Sequence, residues 1–199
     1  MKKYIVLTIV LMLVAAAIFI RYEIVAPARA AARDLEAING ITVGKMTEAE
    51  LLGRSAFQTM DRRCFEADCT YHTERTNDFL QRLHLAPITF LGTAVSVRNG
   101  MVVQVAVFIV RQGLTPISLT QTMALPAECT SNPCVKQLVQ PNKKPLNIKV
   151  MFTNESEFRD RMPEAFQTSC LSRSHGCSTY EELAPLGHGL NLNAVAASR

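Results

Sequence analysis

The chain has 199 residues, enough for one domain with attachments, and its net charge of +4 is mild. It contains no Trp and only 7% aromatic residues, so it is poorly supplied for stacking bases or sugars and shows no concentrated basic stripe. Fractions of 48% hydrophobic and 19% charged residues exclude wholesale disorder.

Tyr4 to Ile20 (YIVLTIVLMLVAAAIFI) carries no charge, and Thr8 is its only polar residue besides the amphipathic Tyr4. This length sits at the short end of a transmembrane helix, and the flanking Lys2, Lys3 and Arg21 can snorkel to extend it. Lys2 and Lys3 favour a cytoplasmic N-terminus; Arg21, Arg29 and Arg33 weaken that bias but lie among Glu23, Asp34 and Glu36. The rival is a signal peptide cleaved at the small-x-small run Ala28-Arg29-Ala30. The charged stretch between Ile20 and Ala30 is long for a cleavage region, which favours an uncleaved signal-anchor. No Cys follows the apolar stretch, so a lipidated anchor is not expected.

Good helix formers (ARAAARDLEAI) should carry the helix on to about Ile38, with a kink at Pro27 and a stop at Asn39-Gly40. Thr47-Glu48-Ala49-Glu50 is a capping box for a short helix closed by Gly53. Ser55–Met60 and Thr70–Glu74 read as two short strands, and residues 77–85 as a short helix or turn stopped by Pro87. Thr89–Arg98, Asn99-Gly100 and Met101–Arg111 form a β-hairpin with a type I′ turn. Continuous pairing puts Ser96 opposite Val103, Ala94 opposite Val105, Gly92 opposite Val107 and Phe90 opposite Ile109, a face on which a helix could pack closely. The second strand is apolar on both faces and should be central.

Further strands are expected at Pro116–Leu125 and Pro145–Thr153, with a Lys/Pro/Asn-rich connection between them. The stretch from Cys129 to Asn154 holds Lys136, Lys143, Lys144 and Lys149 and no carboxylate. A solvated face explains it; weak attraction to anionic headgroups or an acidic partner is the sharper reading. Asn154-Glu155-Ser156-Glu157 caps a helix, Pro163 begins another piece to about Ser169, and Ser178-Thr179-Tyr180-Glu181 caps a last one. Residues 187–199 read as a frayed tail.

The six cysteines form three close pairs: Cys64 with Cys69, Cys129 with Cys134, and Cys170 with Cys177. Each pair brackets a turn, so sequential disulfides are the simplest pairing, each worth about 2 kcal/mol if unstrained. Zinc binding fits less well, because the spacing lies at the edge of the usual thiolate pattern and an oxidising compartment opposes free thiolates. An even cysteine count and an N-terminal apolar segment agree on an extracytoplasmic domain.

No residue is assigned a catalytic, cofactor-binding or metal-binding role. His72, His84, His175 and His188 show no metal spacing, and His175 with Ser172 and Ser174 reads as a turn. Glu48, Glu50, Glu155, Glu157, Glu181 and Glu182 sit at helix starts, where the dipole explains them. Glu66 and Asp68 read as a solvated turn, and Asn154-Glu155-Ser156 matches a glycosylation sequon as well as a cap.

Ile41 to Gly53 (ITVGKMTEAELLG) resembles the opening of small envelope proteins of the SmpA/BamE-like kind, in which a Val-Gly pair precedes a Thr-capped helix and an antiparallel sheet follows. The chain departs from them in lacking their lipidated cysteine and in being longer. Its whole layout resembles uncharacterised bacterial membrane-anchored envelope proteins. A pilin-like layout is a lesser option, since the Gly-Phe processing site and the early Glu within the apolar stretch are missing.

The expected fold is α+β: a transmembrane helix, then one antiparallel sheet with helices on one face, stapled by disulfides. Residues 1–28 are read as the anchor, 29–186 as an extracytoplasmic (periplasmic) domain and 187–199 as the tail. The expected partners are the bilayer, through residues 4–20, and an envelope protein, not nucleic acid. The expected role is a non-catalytic interaction or structural module; the alternative is a small secreted or anchored hydrolase without a recognisable motif, built on His72 or His175.

Overall fold

The computed structural model describes residues 2–112, 116–139, 145–153, 155, 158 and 168–173. The expected cap at Asn154, the helices expected near residues 163 and 178 and the tail from 187 lie outside these residues. Helix α1 (Lys2–Asn39) runs unbroken through Pro27. Every residue from Tyr4 to Tyr22 is exposed, and the Thr8 hydroxyl donates to the Tyr4 carbonyl at 2.9 Å, so the one hydroxyl inside the apolar run is satisfied by the helix itself. In the second half Ala28, Ala31, Asp34 and Ile38 are buried, at helical spacing, and make one stripe facing a sheet. The helix stops where Gly40 follows Asn39: the Arg54 guanidinium donates to the Gly40 carbonyl at 2.9 Å and occupies the space a Cβ there would need.

Short helices α2 (Glu48–Leu52) and α3 (Ser55–Gln58) come next. The capping box is present: the Thr47 hydroxyl accepts from Glu50 N at 3.2 Å, and the Glu50 carboxylate accepts from Thr47 N at 2.8 Å. These bonds hold the Glu50 carboxyl below its ordinary range, so the cap is at full strength above that range and weakens as pH falls through the lowered value. The expected strand at Ser55–Met60 is instead α3, because Phe57 and Met60, three residues apart, both reach the core.

Seven strands follow: β1 (Asp61–Phe65), β2 (Asp68–Thr76), β3 (Thr89–Arg98), β4 (Met101–Arg111), β5 (Ile117–Thr122), β6 (Cys134–Val139) and β7 (Pro145–Phe152), with α4 (Asp78–Arg82) between β2 and β3. They form one sheet in the order β1-β2-β3-β4-β5-β7-β6. The sheet is mostly antiparallel rather than wholly so, since β5 and β7 run parallel. Strand β6, read from the sequence as connection, covers what would otherwise be the exposed edge of β7.

Asn99 and Gly100 both have positive φ (50° and 75°), as a type I′ turn requires. Arg98 faces Met101 and Val97 faces Val102, but a bulge then leaves Val103 unmatched. From there Ser96 faces Gln104, Ala94 faces Ala106 and Gly92 faces Phe108, one residue off the expected register. The bulge lies where β4 changes partners. Residues 100–102 bond to the loop before α2 (Gly44 N to Val102 O 2.8 Å, Val102 N to Met46 O 2.9 Å, Glu48 N to Gly100 O 2.9 Å), whereas β5 pairs from Gln104 onward.

The slip decides which face is core. Leu91, Val95 and Val97 join Val102, Val105, Val107 and Ile109, then Ile117, Leu119, Ile148, Val150 and Phe152, in one buried cluster to which the second half of α1 contributes Ala28, Ala31 and Ile38. A 3-10 turn (Thr168–Ser172) adds Cys170 and Leu171 to this side, and Phe158 packs on Phe152. The helix therefore lies on the large residues, and close approach comes from Ala28 and Ala31 on the helix rather than from Gly92 and Ala94 on the sheet. On the second face, Phe108 stacks edge-on against Phe90 (6.1 Å between ring centres), and a Cβ at Gly92 would lie 2.1 Å from the Phe108 ring. Gly92→Ala should displace that ring at a cost of about 1–2 kcal/mol, and a double-mutant cycle with Phe108→Ala, read by urea denaturation, should be clearly non-additive.

Candidate functional site

Chemistry-bearing side chains concentrate on the β1–β2 hairpin, where strand alternation sends neighbours to opposite faces. Toward the core, Arg62 lies opposite Tyr71. The buried Tyr71 phenol donates to the Glu48 carboxylate at the start of α2, and Arg62 Nη2 donates to the same oxygen at 2.9 Å. The Arg62 guanidinium lies 5.6 Å from the centre of the Tyr71 ring, and its Nη2 is 3.5 Å from Cys69 Sγ. Burial, then the hydrogen bond to Glu48 and its charge, push the Tyr71 phenol up to about 12. It is thus a fixed hydrogen-bond donor at neutral pH and no candidate base.

On the second face Asp61 lies opposite His72, and His72 Nε2 approaches Asp61 Oδ2 at 3.2 Å. Arg63 Nη2 shares that oxygen at 3.2 Å. The row continues across the sheet through Ala94, Ala106, Thr120 and Met151 to Cys134. Among the described residues no hydroxyl or thiol is hydrogen-bonded to His72, and the cavities beside α1 and α4 are lined by other residues. Among the described residues the arrangement orients an imidazole beside a carboxylate without a bonded nucleophile. His84 is exposed at the end of α4; His175 and His188 lie outside the described residues. Among the described residues no three His, Cys, Asp or Glu side chains converge as a metal site would require.

Cys64 and Cys69 sit directly opposite each other on β1 and β2 and are joined, with Cα atoms 4.1 Å apart. Cys129 and Cys134 are joined across the loop that leads into β6, with Cα atoms 5.6 Å apart. Cys170 is disulfide-bonded, and Cys177 lies outside the described residues. The Cys64–Cys69 bridge staples the open end of the sheet just where Arg98 on β3 pairs with Asp68 at 3.1 Å.

The remaining polar centre ties helix to sheet. Arg75 on β2 grips Asp34 of α1 through two bonds, Nε to Oδ2 at 2.6 Å and Nη2 to Oδ1 at 3.2 Å. Sequence reasoning singled out none of Asp34, Arg62, Tyr71 or Arg75 as partners. Placing β1 at residues 61–65 would have sent Arg62 and Arg63 to opposite faces, but nothing local signals the pairing of Asp34 with a residue so far along the chain.

Comparison of the chain with models of protein families, with curated proteins and with solved structures finds no match.

Tyr71→Phe should lower stability by about 1–2 kcal/mol, since a hydrogen bond to a charged acceptor is lost while Arg62 still serves Glu48. Because the folded state holds the phenol proton to about 12 and an unfolded tyrosine loses it near 10, the stability of the native protein should hold below the lower value and fall as pH rises through the upper one. Alkaline unfolding followed by circular dichroism should show that fall in the native protein and a weaker one in Tyr71→Phe.

Proposed function

We propose that the protein is a membrane-anchored, extracytoplasmic module without catalytic activity, which presents its sheet to another envelope component close to the bilayer. The continuity of α1 carries this reading. The same helix is apolar and exposed from Tyr4 to Ile20, long and apolar enough to cross a membrane, and is part of the core from Ala28 onward. Signal sequences share the first property, but the second argues for retention. Cleavage after Ala30 would remove the buried Ala28 and leave a charged amino terminus at Ala31, which is wholly buried. The run Ala28-Arg29-Ala30 is also helical rather than extended.

Lys2 and Lys3 favour an N-terminus in the cytoplasm, which sends the sheet to the outer side. The disulfides fit that placement, because such bonds persist in oxidising compartments. The Thr47–Glu50 capping box followed by a largely antiparallel sheet fits the resemblance of residues 41–53 to SmpA/BamE-like envelope proteins. For binding, the second face over β2–β4 offers a half-buried surface of Thr70, His72, Phe90, Ala94, Ser96 and Gln104. The hydrolase alternative has the His72–Asp61 pair as its support among the described residues.

Protein extracted from membranes should have the intact mass of a chain that keeps residues 1–30. In-cell cross-linking from cysteines or photo-reactive side chains at Ser96 or Gln104 should capture one recurring envelope component. A mature N-terminus at Ala31 would refute the anchor. Hydrolase activity lost in His72→Ala would refute the non-catalytic reading.

A further inference from the structure

We infer that the loop between α4 and β3, residues 83–88, is a second membrane contact that seats its apolar side chains in the headgroup–acyl boundary of the bilayer crossed by α1. The inference rests on the anchored reading above. Outside α1, the exposed large apolar side chains among the described residues are Phe65, Leu83, Leu85, Ile88 and Met123. Phe65 and Met123 lie at the far end of the domain: Phe65 faces Asp68 at the β1–β2 turn, and Met123 lies against Gly44. The other three fall within six residues of one another at the opposite end.

That end is the one nearest the apolar half of α1. A cavity of about 310 Å³ is lined by Glu23, Ala26 and Pro27 of α1 together with Thr76, Asp78 and Phe79, so the end of β2 and the start of α4 lie alongside residues 23–27. At the rise of an α-helix these residues are roughly 5–10 Å beyond Ile20, the last residue of the apolar stretch. The loop that follows α4 therefore sits at the depth of the interface, where a bilayer accepts apolar side chains and flanking cations.

The exposure of these side chains is built in. Asn77, itself buried, donates from Nδ2 to the Pro87 carbonyl at 3.1 Å and accepts from Thr89 N at 3.1 Å. Leu85 N donates to Leu80 O at 2.9 Å, and Gln112 N donates to Ile88 O at 2.8 Å. Leu80 is turned inward and packed, while Leu83, whose N donates to Phe79 O at 3.3 Å, and Leu85 are 51% and 53% exposed. A pinned loop that shows two leucines and an isoleucine to solvent is costly unless something apolar covers it. Continuity with the membrane helix names the cover. Arg82, exposed and next to Leu83 in the chain, and Arg21, exposed directly after the apolar run of α1, supply charge that phospholipid headgroups attract.

Because the chain has no Trp, a single introduced Trp reports its own surroundings without background. Leu85→Trp, Phe65→Trp and Ile18→Trp are each made in the full chain and reconstituted into phosphatidylcholine vesicles with or without brominated acyl chains. The expected result is blue-shifted emission quenched by brominated lipid for Leu85→Trp and Ile18→Trp, with Phe65→Trp quenched only by aqueous acrylamide. Leu85→Trp quenched by acrylamide and not by brominated lipid, while Ile18→Trp is quenched by lipid, overturns the loop contact and leaves the anchor standing. Leu85→Trp shielded from both quenchers means that a second protein surface covers the loop, and also overturns it. Lipid quenching at Phe65→Trp equal to that at Leu85→Trp overturns the stated orientation. Failure of Ile18→Trp to be quenched by lipid overturns the anchor and the loop contact together.

Discussion

Asp34 is a carboxylate only 7% exposed, on the buried stripe of a helix, and it is tolerable there because Arg75 reaches across from the sheet to grip both its oxygens. An unpaired charge in that position would cost several kcal/mol. The bond is worth little as net stability, since both partners give up water to make it. Its value lies in register. Ala28, Ala31 and Ile38 make an apolar stripe that could slide or rotate on a smooth sheet of Val, Leu and Ile, and a bidentate pair at one point removes both freedoms. How the rest of the domain meets α1, and how the exposed half of α1 leaves it, follows from this one fixed point.

The sheet is arranged to accept that helix on one face only. The bulge at Val103 turns β4 so that Val102, Val105, Val107 and Ile109 point to the core and leaves Gln104, Ala106 and Phe108 on the other side. It also divides the outer edge of β4 between two partners, the loop before α2 and the strand β5. The loop in turn carries Glu48 to the Tyr71–Arg62 pair, so the short helices are tied to the same hairpin that Cys64–Cys69 staples. Two polar contacts thus clamp β2 from above, Arg75 to α1 and Tyr71 to α2, while its other face holds the His72–Asp61 pair nearer to solvent.

What was legible in the sequence was local. The apolar run to Ile20, the Asn39-Gly40 stop, the Thr47–Glu50 box and the Asn99-Gly100 turn each depend on a few adjacent residues and appear where the residues place them. The register beyond the turn was misread because a bulge is dictated by what pairs on the far side of β4, which a two-strand reading does not contain. Ser55–Met60 reads locally as strand, whereas the i, i+3 spacing by which Phe57 and Met60 both reach the core fits a helical turn. Strand β6 is not legible locally, because Lys136 and the Pro- and Asn-rich stretch after it carry turn signals, and its pairing comes from β7 rather than from its own composition. The polar contacts were illegible for a related reason: each joins residues that only the finished topology brings together.

As the anchor we propose, a helix that is also a core element constrains the orientation of the whole domain. A single rod through a bilayer is free to rotate about its own axis and to tilt, so a domain joined to it by a flexible linker would present no particular surface to anything beside it. Here the Asp34–Arg75 bond removes the linker's freedom by fixing the sheet to the rod. Rotation and tilt of the whole body remain, and a second contact away from the helix axis is what would stop them. An apolar loop held outward at the same end of the domain, as we infer for residues 83–88, is placed to do so. The second face of the sheet, with Phe90, Ser96 and Gln104, would then meet a neighbouring envelope component at one angle and one height above the membrane. Rigid presentation of this kind lowers the entropy lost on binding, and would give the interaction module we propose a physical reason to be stapled, clamped and seated so firmly.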